Sequence, residues 1–439
     1  MEGSLKNPPT AKITYAGTIN QRDGDEVSFA VSSMQGRRKT QEDDNAIETE
    51  LRANDTSKGV FHDFLPGHAL FAVFDGHGTG FASKYAAMHL VSTLCKQPCF
   101  LMYSKKFFAD IDKPHRENLT SKKSGKATRR KVEQSHAIED RTENDTVELR
   151  MLLEDAVKRT MIELDANMLR DMTARRDHQG KIRSLASSRI EHEDLYDEFD
   201  SGTTAIVVIL TPRYIICANL VSFLLRSPFM RTCSLCMRNR QIIYIIFRRL
   251  QGDSRAILHG GAAEPNVTSL SNDHKPNNKD EAMRIQNAGG VIISGAIGGR
   301  LAVSRGLGDF TFKHTASVFC AVDSPKIDDY VPTENQMVTS VPEISVLERQ
   351  VHDKFIVIAC DGIWDVVSNE YCATLVSTIF DEGESSVSLA CEEVLDQCYA
   401  KGSLDNMTVV LIKFSSQEVG LGGGVMKRRG QRLRKGSKG

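Results

Sequence analysis

The chain has 439 residues, enough to bury a sizeable core, and at roughly 150 residues per domain it predicts two or three domains or one large β-sandwich. Its 56 Lys and Arg residues against 57 Asp and Glu residues give a net charge of −1, which excludes a global electrostatic attraction to nucleic acid. No apolar run approaches the roughly 18 residues that a membrane span requires. We therefore expect neither a nucleic-acid partner nor a transmembrane segment.

Cysteine usage and the N-terminal residues predict a reducing compartment. The ten cysteines are dispersed, many of them in apolar surroundings, and the N-terminus lacks the apolar core of a secretory signal. Thiols stay reduced inside cells, so we expect an intracellular protein, cytoplasmic, nuclear or both, whose cysteines are mostly buried.

In the first part of the chain, residues 1–26 are polar and patternless, which predicts a flexible segment. Runs of apolar and β-branched residues then predict buried strands at 27–33 and 69–74. Apolar residues at three-to-four spacing predict a helix from 81 to 94. The Lys- and Ser-rich stretch 104–140 has few apolar residues and predicts a charged, loop-like insertion.

In the second part, residues 146–172 show the longest helical pattern, and the highly charged stretch 175–198 predicts another loop. The remaining elements are a helix at 387–399 and strands at 204–210, 213–218, 256–258, 354–360 and 407–414. Such strands with long helices between them predict sheets covered by helices on their outer faces. A glycine run at 420–424 and a purely basic stretch after it predict that residues 416–439 form a flexible basic tail, with a nuclear-import or anionic-surface signal as the alternative to a solvated segment.

Acidic residues stand at the ends of several predicted strands. The strand 69–74 ends in Asp75-Gly76-His77-Gly78, and a second apolar strand ends in Asp361-Gly362. Asp405-Asn406 directly precedes the strand at 407–414. A carboxylate at a strand end is rigidly aimed, and glycine lets a metal ion approach the backbone carbonyl. Taken alone, an Asp-Gly turn at a strand end is more often structural.

A fourth acidic stretch follows the first predicted strand and contains Arg38, Glu42 and Asp43. Acids this far apart in sequence converge only in a folded sheet, where their mutual repulsion would raise their pKa values. A bound cation is the natural partner for such a cluster. Because oxygen ligands are hard, they favour Mg²⁺ or Mn²⁺ over zinc.

The order of these motifs closely resembles the type-2C, or PPM, protein serine/threonine phosphatases, and the resemblance covers roughly residues 27–415, the expected phosphatase domain. Each motif alone is weak, and the resemblance rests on eight of them in the order that the family shows. They are Arg38-x3-Glu42-Asp43, Asp75-Gly76-His77-Gly78, Ser201-Gly202-Thr203-Thr204-Ala205, Gly252-Asp253-Ser254-Arg255-Ala256, Asp273-His274-Lys275-Pro276, Leu301-x3-Arg305-Gly-Leu-Gly308-Asp309, Asp361-Gly362-Ile363-Trp364-Asp365 and Asp405-Asn406.

The resemblance implies an α+β fold with a central β-sandwich of two antiparallel sheets, flanked by helices on both outer faces. It also implies two Mg²⁺ or Mn²⁺ ions at one end of the sandwich. Asp75 would bridge both ions, Gly76 would offer its carbonyl to one, and Asp361 and Asp405 would hold the second. Glu42 and Asp43 would ligate that ion or orient its waters. Asp200 would contribute to a weaker third metal site.

The implied activity is hydrolysis of phosphoserine and phosphothreonine in protein substrates by a metal-activated water, carried out by a monomer. Arg38 would clamp the phosphate oxygens, and His77 would protonate the leaving oxygen as general acid. No covalent phosphoenzyme is required, so we interpret Cys360 as a packed core thiol. We interpret Ser201–Thr204 as scaffold, Arg305 and Asp309 as structural ion pairs, Asp253 and Arg255 as a turn with its salt bridge, and residues 273–300 as a flap beside the site.

Residues 221–251 depart from the family pattern. Removing these 31 residues restores an uninterrupted Ala-Asn-Leu-Gly-Asp-Ser-Arg-Ala, and the Val-Ser at their start and the Gln at their end are residues that the common intron boundary sequences GTGAGT and CAG encode. Our hypothesis is a retained intron or gene-model error, with a genuine insertion loop as the alternative. If the insertion disrupts the fold, the chain would be a pseudophosphatase scaffold. A phosphatase acting on small phosphate esters is the other alternative.

Overall fold

The structure, a computed structural model, describes residues 10–20, 26–120, 131–185, 201–221, 254–260, 266–273, 276–299, 301, 303–313 and 332–436. The insertion hypothesis for 221–251 and the third-metal candidate Asp200 fall almost wholly outside the described residues.

The described strands, in chain order, begin with β1 (Lys12–Asn20), β2 (Glu26–Met34), β3 (Asp44–Glu48), β4 (Asn54–Asp55), β5 (Val60–Phe61), β6 (Ala69–Phe74), β7 (Gly76–His77), β8 (Gly202–Thr203) and β9 (Ala205–Leu210). They continue with β10 (Tyr214–Leu220), β11 (Arg255–Gly260), β12 (Val267–Ser269), β13 (Ile292–Ile293), β14 (Ala296–Ile297), β15 (Leu307–Gly308), β16 (Glu343–Glu348), β17 (Asp353–Ala359) and β18 (Met407–Lys413).

The described helices are α1 (Phe81–Cys95), α2 (Pro98–Thr120), α3 (Lys131–Leu185), α4 (Lys279–Asn287), α5 (Asp361–Trp364), α6 (Asn369–Asp381), α7 (Val387–Ala400) and α8 (Gly424–Gly436). Short 3-10 turns occupy Phe310–Phe312 and Thr333–Asn335. Among the described residues, no helix combines the length and the apolar character that crossing a bilayer requires.

Two large sheets form the centre of the molecule. One has six strands in the order β1-β2-β18-β17-β11-β12, and the other has five in the order β16-β10-β9-β6-β3. Every described pairing within these two sheets is antiparallel. The predicted sandwich of two antiparallel sheets is therefore confirmed.

Alternation along the strands explains why the sequence shows near-continuous apolar runs. In β17, Ile356 and Ile358 face the core between the sheets, whereas Phe355, Val357 and Ala359 pack toward α6 and α7. In β6, alternate residues likewise face the inter-sheet core and the layer that α1, α2 and α3 form on the other side. A strand buried on both faces needs apolar residues at every position. The layer order is helix, sheet, sheet, helix, as expected.

The described part of the N-terminal segment, Lys12–Asn20, is a strand rather than the expected flexible chain. Strand β1 pairs with β2 along its whole length, from Lys12 opposite Met34 to Asn20 opposite Glu26. The ring of Tyr15 lies 6.0 Å from that of Phe29. Edge strands tolerate exposed and polar side chains, so β1 lacks the dense apolar run that marks the central strands.

The described parts of the charged stretches 104–140 and 175–198, namely residues 104–120, 131–140 and 175–185, are helical rather than the expected loops. Helix α2 extends to Thr120, and α3 runs from Lys131 to Leu185. Lys, Arg, Glu and Gln are good helix formers even where they bury little, so low hydrophobicity alone does not exclude a helix. The apolar helix face predicted for residues 146–172 is confirmed in α3, since Leu153, Val157, Met161 and Leu164 are buried.

The C-terminal tail contains a docked helix rather than a wholly flexible segment. Val425 at the start of α8 is fully buried, and its amide donates to Glu384 Oε2 at 3.0 Å. Three basic side chains of α8 meet acids of α7 and the residue that follows α6: Arg428 pairs with Glu382, Arg429 with Glu392 and Asp396, and Arg432 with Glu393. These three charges are therefore balanced by acids distant in sequence, which local composition could not reveal.

Candidate active site

Three of the predicted acids meet because their strands end at the same edge of the sandwich. Asp75 follows β6, and Asp361 opens α5 two residues after β17 ends. Asp405 lies two residues before β18, which is the antiparallel neighbour of β17. The backbone amide of Asp361 donates to Asp75 Oδ2 at 3.4 Å, which links the two sheets at this edge.

The loop after β2 brings Arg38, Glu42 and Asp43 to the same edge. Asn406 holds this loop: its amide group donates to the carbonyls of Gln35 and Thr40 at 2.8 Å each, and its Oδ1 accepts from the Glu42 amide at 3.0 Å. The sequence motif Asp405-Asn406 contains this residue but does not indicate its role. The signal that could have revealed it is its position between a candidate ligand and a strand.

The loop also approaches the backbone closely at a glycine. Gly36 has φ 64°, and a Cβ atom there would lie 2.3 Å from the carbonyl oxygen of Asp405. Only glycine combines this left-handed conformation with such an approach. The structure thereby places Arg38 next to Asp405, and the guanidinium Nη2 donates to the Asp405 carboxylate.

The Asp75 backbone is fixed by the Ser-Gly-Thr-Thr motif. The amide of Thr204 donates to the Asp75 carbonyl at 2.9 Å, and the hydroxyl of Thr203 donates to the same oxygen at 3.0 Å. At Gly76, an added Cβ atom would lie 2.3 Å from the carbonyl oxygen of Glu42. The motif that we interpreted as scaffold thus supports the turn carrying Asp75 and Gly76.

The clustered carboxylates perturb one another strongly. Burial, together with the charge of Asp405, raises the pKa of Asp75 to about 6. Burial and the charges of Asp75 and Asp405 raise the pKa of Asp43 and that of Asp361 well above the usual range. The Asp43 carboxylate also accepts a hydrogen bond from Thr408 Oγ1 at 2.8 Å. These acids are held together without enough positive charge to balance them.

Asp365 belongs to the same cluster, although we did not predict it as a site residue. Burial and the charges of Asp405 and Asp75 raise its pKa to about 7. Its Oδ1 is buried, and no group among the described residues hydrogen-bonds it. The repeated Asp of the Asp361-Gly-Ile-Trp-Asp365 motif, one helical turn after Asp361, was the available signal.

The chemistry of the donor set, rather than its geometry, fits hard divalent cations. Within the described residues, no three His, Cys, Asp or Glu side chains form a group with metal-ligand geometry. Asp405 is instead engaged by Arg38, and Asp43 by Thr408. The oxygen-only donors, the uncompensated charge and the orphaned Asp365 oxygen are nevertheless the properties that favour Mg²⁺ or Mn²⁺.

His77 lies beside this cluster and contacts Asp309. Its Nε2 lies 2.8 Å from Asp309 Oδ1 and 3.0 Å from Oδ2, and both side chains are buried. Strand β8 pairs with both β7 and β15 and so brings the two residues together. We interpreted Asp309 as structural, and its contact with His77 is a role that the sequence did not indicate.

Other residues interpreted as scaffold make structural contacts. Arg305 pairs with Glu281 of α4 at 2.7 Å, in agreement with its interpretation as a structural ion pair. Arg255 pairs with Asp273 at 2.9 Å, whereas its expected partner Asp253 lies outside the described residues. Cys360 is fully buried, and burial raises the pKa of its thiol, as expected of a packed core cysteine.

The fold and the acidic edge define an α-β-β-α sandwich with an oxygen-rich candidate metal site, and comparisons with known proteins identify its relatives. A family model described as "Protein phosphatase 2C" matches residues 232–407. The chain is 28% identical over 417 residues to "Protein phosphatase 1B" of Bos taurus, and this alignment covers 95% of this chain and 61% of the bovine protein. It is 28% identical over 415 residues to "Protein phosphatase ppm-1.A" of Caenorhabditis elegans, covering 94% of this chain and 64% of that protein.

Solved structures agree on the fold. A serine-threonine phosphatase 2C from Toxoplasma gondii superposes with a TM-score of 0.52 at 17% identity, covering 92% of this chain and 99% of that one. A second phosphatase from Toxoplasma gondii superposes with a TM-score of 0.51 at 22% identity, covering 93% of this chain and 97% of that one. The chain is therefore similar to the type-2C, or PPM, phosphatases in sequence and in fold. It spans 61% and 64% of the length of the bovine and nematode relatives.

Proposed function

We propose that the chain is a Mg²⁺- or Mn²⁺-dependent protein phosphatase that hydrolyses phosphoserine and phosphothreonine without a covalent phosphoenzyme. The observation that carries the proposal is the convergence of Asp75, Asp361 and Asp405 at one edge of the sandwich, beside Arg38 and His77. The fold likeness and the named relatives support the same activity.

Two divalent cations would be held by Asp75, the Gly76 carbonyl, Asp361 and Asp405, with Glu42 and Asp43 as ligands or as groups that orient water. When bound, they would supply charge neutralisation and an activated water for attack on phosphorus. The buried carboxylates favour this binding because a cation relieves their mutual repulsion. The fully buried Cys360, whose raised pKa opposes thiolate formation, supports a mechanism without a cysteine nucleophile.

Arg38 would bind the phosphate of the substrate. Its guanidinium now balances the Asp405 carboxylate. With a cation held by Asp405, the Arg38 donors would be available to the oxygens of the phosphate. A planar guanidinium donates two parallel hydrogen bonds to such a group, which a lysine cannot reproduce.

His77 would act as general acid. A serine or threonine alkoxide is a poor leaving group, so protonation as the ester bond breaks assists the reaction by roughly 10²–10⁴-fold. A buried imidazole next to the acidic cluster has the position for this role, and its contact with Asp309 limits the motion of the ring.

The test compares hydrolysis of a phosphothreonine peptide in Mn²⁺ or Mg²⁺ with hydrolysis in EDTA, for the wild type and Asp361→Asn. The matched control is Asp381→Asn, since Asp381 is an exposed aspartate at the end of α6. We expect EDTA and Asp361→Asn to abolish activity and Asp381→Asn to leave it unchanged. Calorimetric titration with Mn²⁺ provides a readout that does not depend on activity, and Asp361→Asn should weaken that binding.

Activity that persists in EDTA would refute the metal-dependent mechanism. Tight Mn²⁺ binding without turnover would favour the pseudophosphatase alternative. A strong preference for small esters over several phosphopeptides would favour the small-ester alternative. Running the assays with and without residues 221–251 tests whether the insertion affects the active fold.

A further inference from the structure

We propose that Asp309 is a positioning residue for His77: it fixes the orientation and tautomer of the imidazole so that Nδ1 is the nitrogen that protonates the leaving group. The inference rests on the proposed phosphatase function, and it assigns a role that the sequence motif alone does not give to Asp309.

The contact between the two side chains is short and enclosed. Both Asp309 oxygens lie within 3.0 Å of His77 Nε2, and the relative exposures are 1% for Asp309 and 7% for His77. A carboxylate only accepts hydrogen bonds, so the shared proton resides on Nε2. Proton exchange with a substrate then has to use Nδ1. A buried acceptor of this kind selects the histidine tautomer and limits ring rotation.

The close approach of the pair depends on a glycine in the neighbouring strand. Gly202 of β8 lies opposite His77 in one pairing and opposite Gly308 in the other. A Cβ atom on Gly202 would lie 2.2 Å from Asp309 Oδ2 and 2.5 Å from His77 Nε2. Glycine at this position therefore allows the imidazole and the carboxylate to meet, and any larger residue would separate them.

Asp309 holds its position in an unfavourable backbone conformation. Its φ of 52° and ψ of 40° place it in the left-handed region, which residues other than glycine, asparagine and aspartate rarely occupy. Its amide donates to the Ser201 carbonyl at 3.0 Å, and its carbonyl accepts from the Phe312 amide at 2.9 Å. A strained residue kept by such contacts at a reactive site is a pattern typical of functional positioning.

A buried ion pair anchors the loop that carries Asp309. Lys313 Nζ lies 2.7 Å from both oxygens of Asp165 in α3 and also donates to the Gly306 carbonyl at 2.9 Å. Asp165 Oδ1 additionally accepts from the Gly308 amide at 2.9 Å. Lys313 is thus balanced by Asp165, and the Asp309 carboxylate hydrogen-bonds His77.

A positioning role and a structural role predict different kinetics. If Asp309 orients the general acid, its loss should reduce kcat for substrates with poor leaving groups and leave KM unchanged. Substrates with good leaving groups, which need no protonation, should be nearly unaffected. If Asp309 only stabilises the loop, both kinds of substrate should lose activity in the same proportion.

The experiment measures kcat and KM in Mn²⁺ for a phosphothreonine peptide and for p-nitrophenyl phosphate. The variants are Asp309→Asn, Asp309→Gly, His77→Ala and the double variant Asp309→Asn/His77→Ala. Glycine suits the left-handed backbone at this position, so Asp309→Gly removes the carboxylate without adding backbone strain. Arg305→Gln is the loop control, because it releases the same loop from Glu281 without contacting His77.

We expect Asp309→Asn and Asp309→Gly to lower kcat on the peptide by about 10–100-fold, less than the roughly 10²–10⁴-fold of full general-acid assistance because His77 is still present, and kcat on the nitrophenyl ester by less than about threefold. The double variant should be no slower than His77→Ala, since the two residues act as one unit. Arg305→Gln should change both substrates in equal proportion. Equal losses on both substrates in the Asp309 variants, or additive losses in the double variant, would overturn the proposal.

A measurement independent of turnover separates this proposal from the proposed function. ¹⁵N NMR of the imidazoles, with the His77 signal assigned by its loss in His77→Ala, should show the Nε2–H form in the wild type and a changed signal in Asp309→Gly. An inactive wild type refutes the phosphatase function. An active wild type whose His77 signal is the same in Asp309→Gly refutes the positioning role.

Discussion

Replacing Asp365 with asparagine should stabilise the metal-free protein at alkaline pH. Asp365 has a buried oxygen without a hydrogen-bond partner among the described residues, and burial followed by the charges of Asp405 and Asp75 raises its pKa to about 7. In the unfolded chain the same group titrates near 3.8. The unfolded state therefore loses this proton at lower pH than the folded state, so stability falls as the pH rises from about 4 through 7.

The size of the effect follows from the two pKa values. A tenfold change in an acid's dissociation constant corresponds to about 1.4 kcal/mol, so the change from 3.8 to about 7 lowers the free energy of unfolding above pH 7 by at most about 4 kcal/mol. The side chain is only partly covered, and solvent screening reduces this value. We expect Asp365→Asn to raise the free energy of unfolding by about 1–4 kcal/mol at pH 8 and to have little effect near pH 4.

The assay is urea unfolding in EDTA at pH 4, 6 and 8, with the exposed Asp381→Asn as control. Mn²⁺ should narrow the difference between the wild type and Asp365→Asn, because a cation that binds only the folded state relieves the same repulsion. An Asp365→Asn variant that is less stable than the wild type at pH 8 in EDTA would show that Asp365 is balanced by a partner and that the charge argument is wrong.

Two further predictions concern ion pairs outside the acidic edge. Burial raises the pKa of Glu281, but hydrogen bonds and charge from Arg284 and Arg305 outweigh it and lower the pKa to about 2. Glu281→Gln should therefore lower the free energy of unfolding by about 3 kcal/mol at pH 7. The difference in unfolding free energy between variant and wild type should vanish as the pH falls from about 4.5 to 2. A difference that urea unfolding shows to be the same at every pH would contradict this. Glu393→Gln should speed proteolysis of the C-terminal helix α8 and lower the free energy of unfolding by about 1–3 kcal/mol, since the buried Glu393 faces Arg432 at 2.6 Å. The more exposed Glu392→Gln, with an expected loss below about 1 kcal/mol, is its control, and equal losses in both would contradict the role of burial.

The central strands and the acids at their ends could be predicted from the sequence because both depend on local patterns. Strands such as β6 and β17 are buried on both faces, so their apolar runs are unbroken and the following Asp75 and Asp361 stand out. The convergence of these acids at one edge depends on topology, and the family resemblance supplied it. The site roles themselves remain predictions that the proposed assays test.

The elements that the sequence did not reveal depend on partners far along the chain. Helix α8 carries no apolar face long enough to predict docking, and its stability comes from acids of α7 and the residue that follows α6, some 30–50 residues earlier. The contact between His77 and Asp309 joins positions 232 residues apart through a strand of only two residues. Such short strands show no periodicity, so their pairing becomes visible only in the folded chain.

The exchange of charge partners connects the stability of the site with its proposed chemistry. The folded sandwich holds Asp43, Asp75, Asp361, Asp365 and Asp405 at one edge, and Arg38 balances only part of their charge. Bound cations would relieve this repulsion, and with a cation held by Asp405 the Arg38 guanidinium would be available to the phosphate. Without that neutralisation the carboxylates would repel an anionic ester, so the proposed chemistry needs the same positive charge that would stabilise the site.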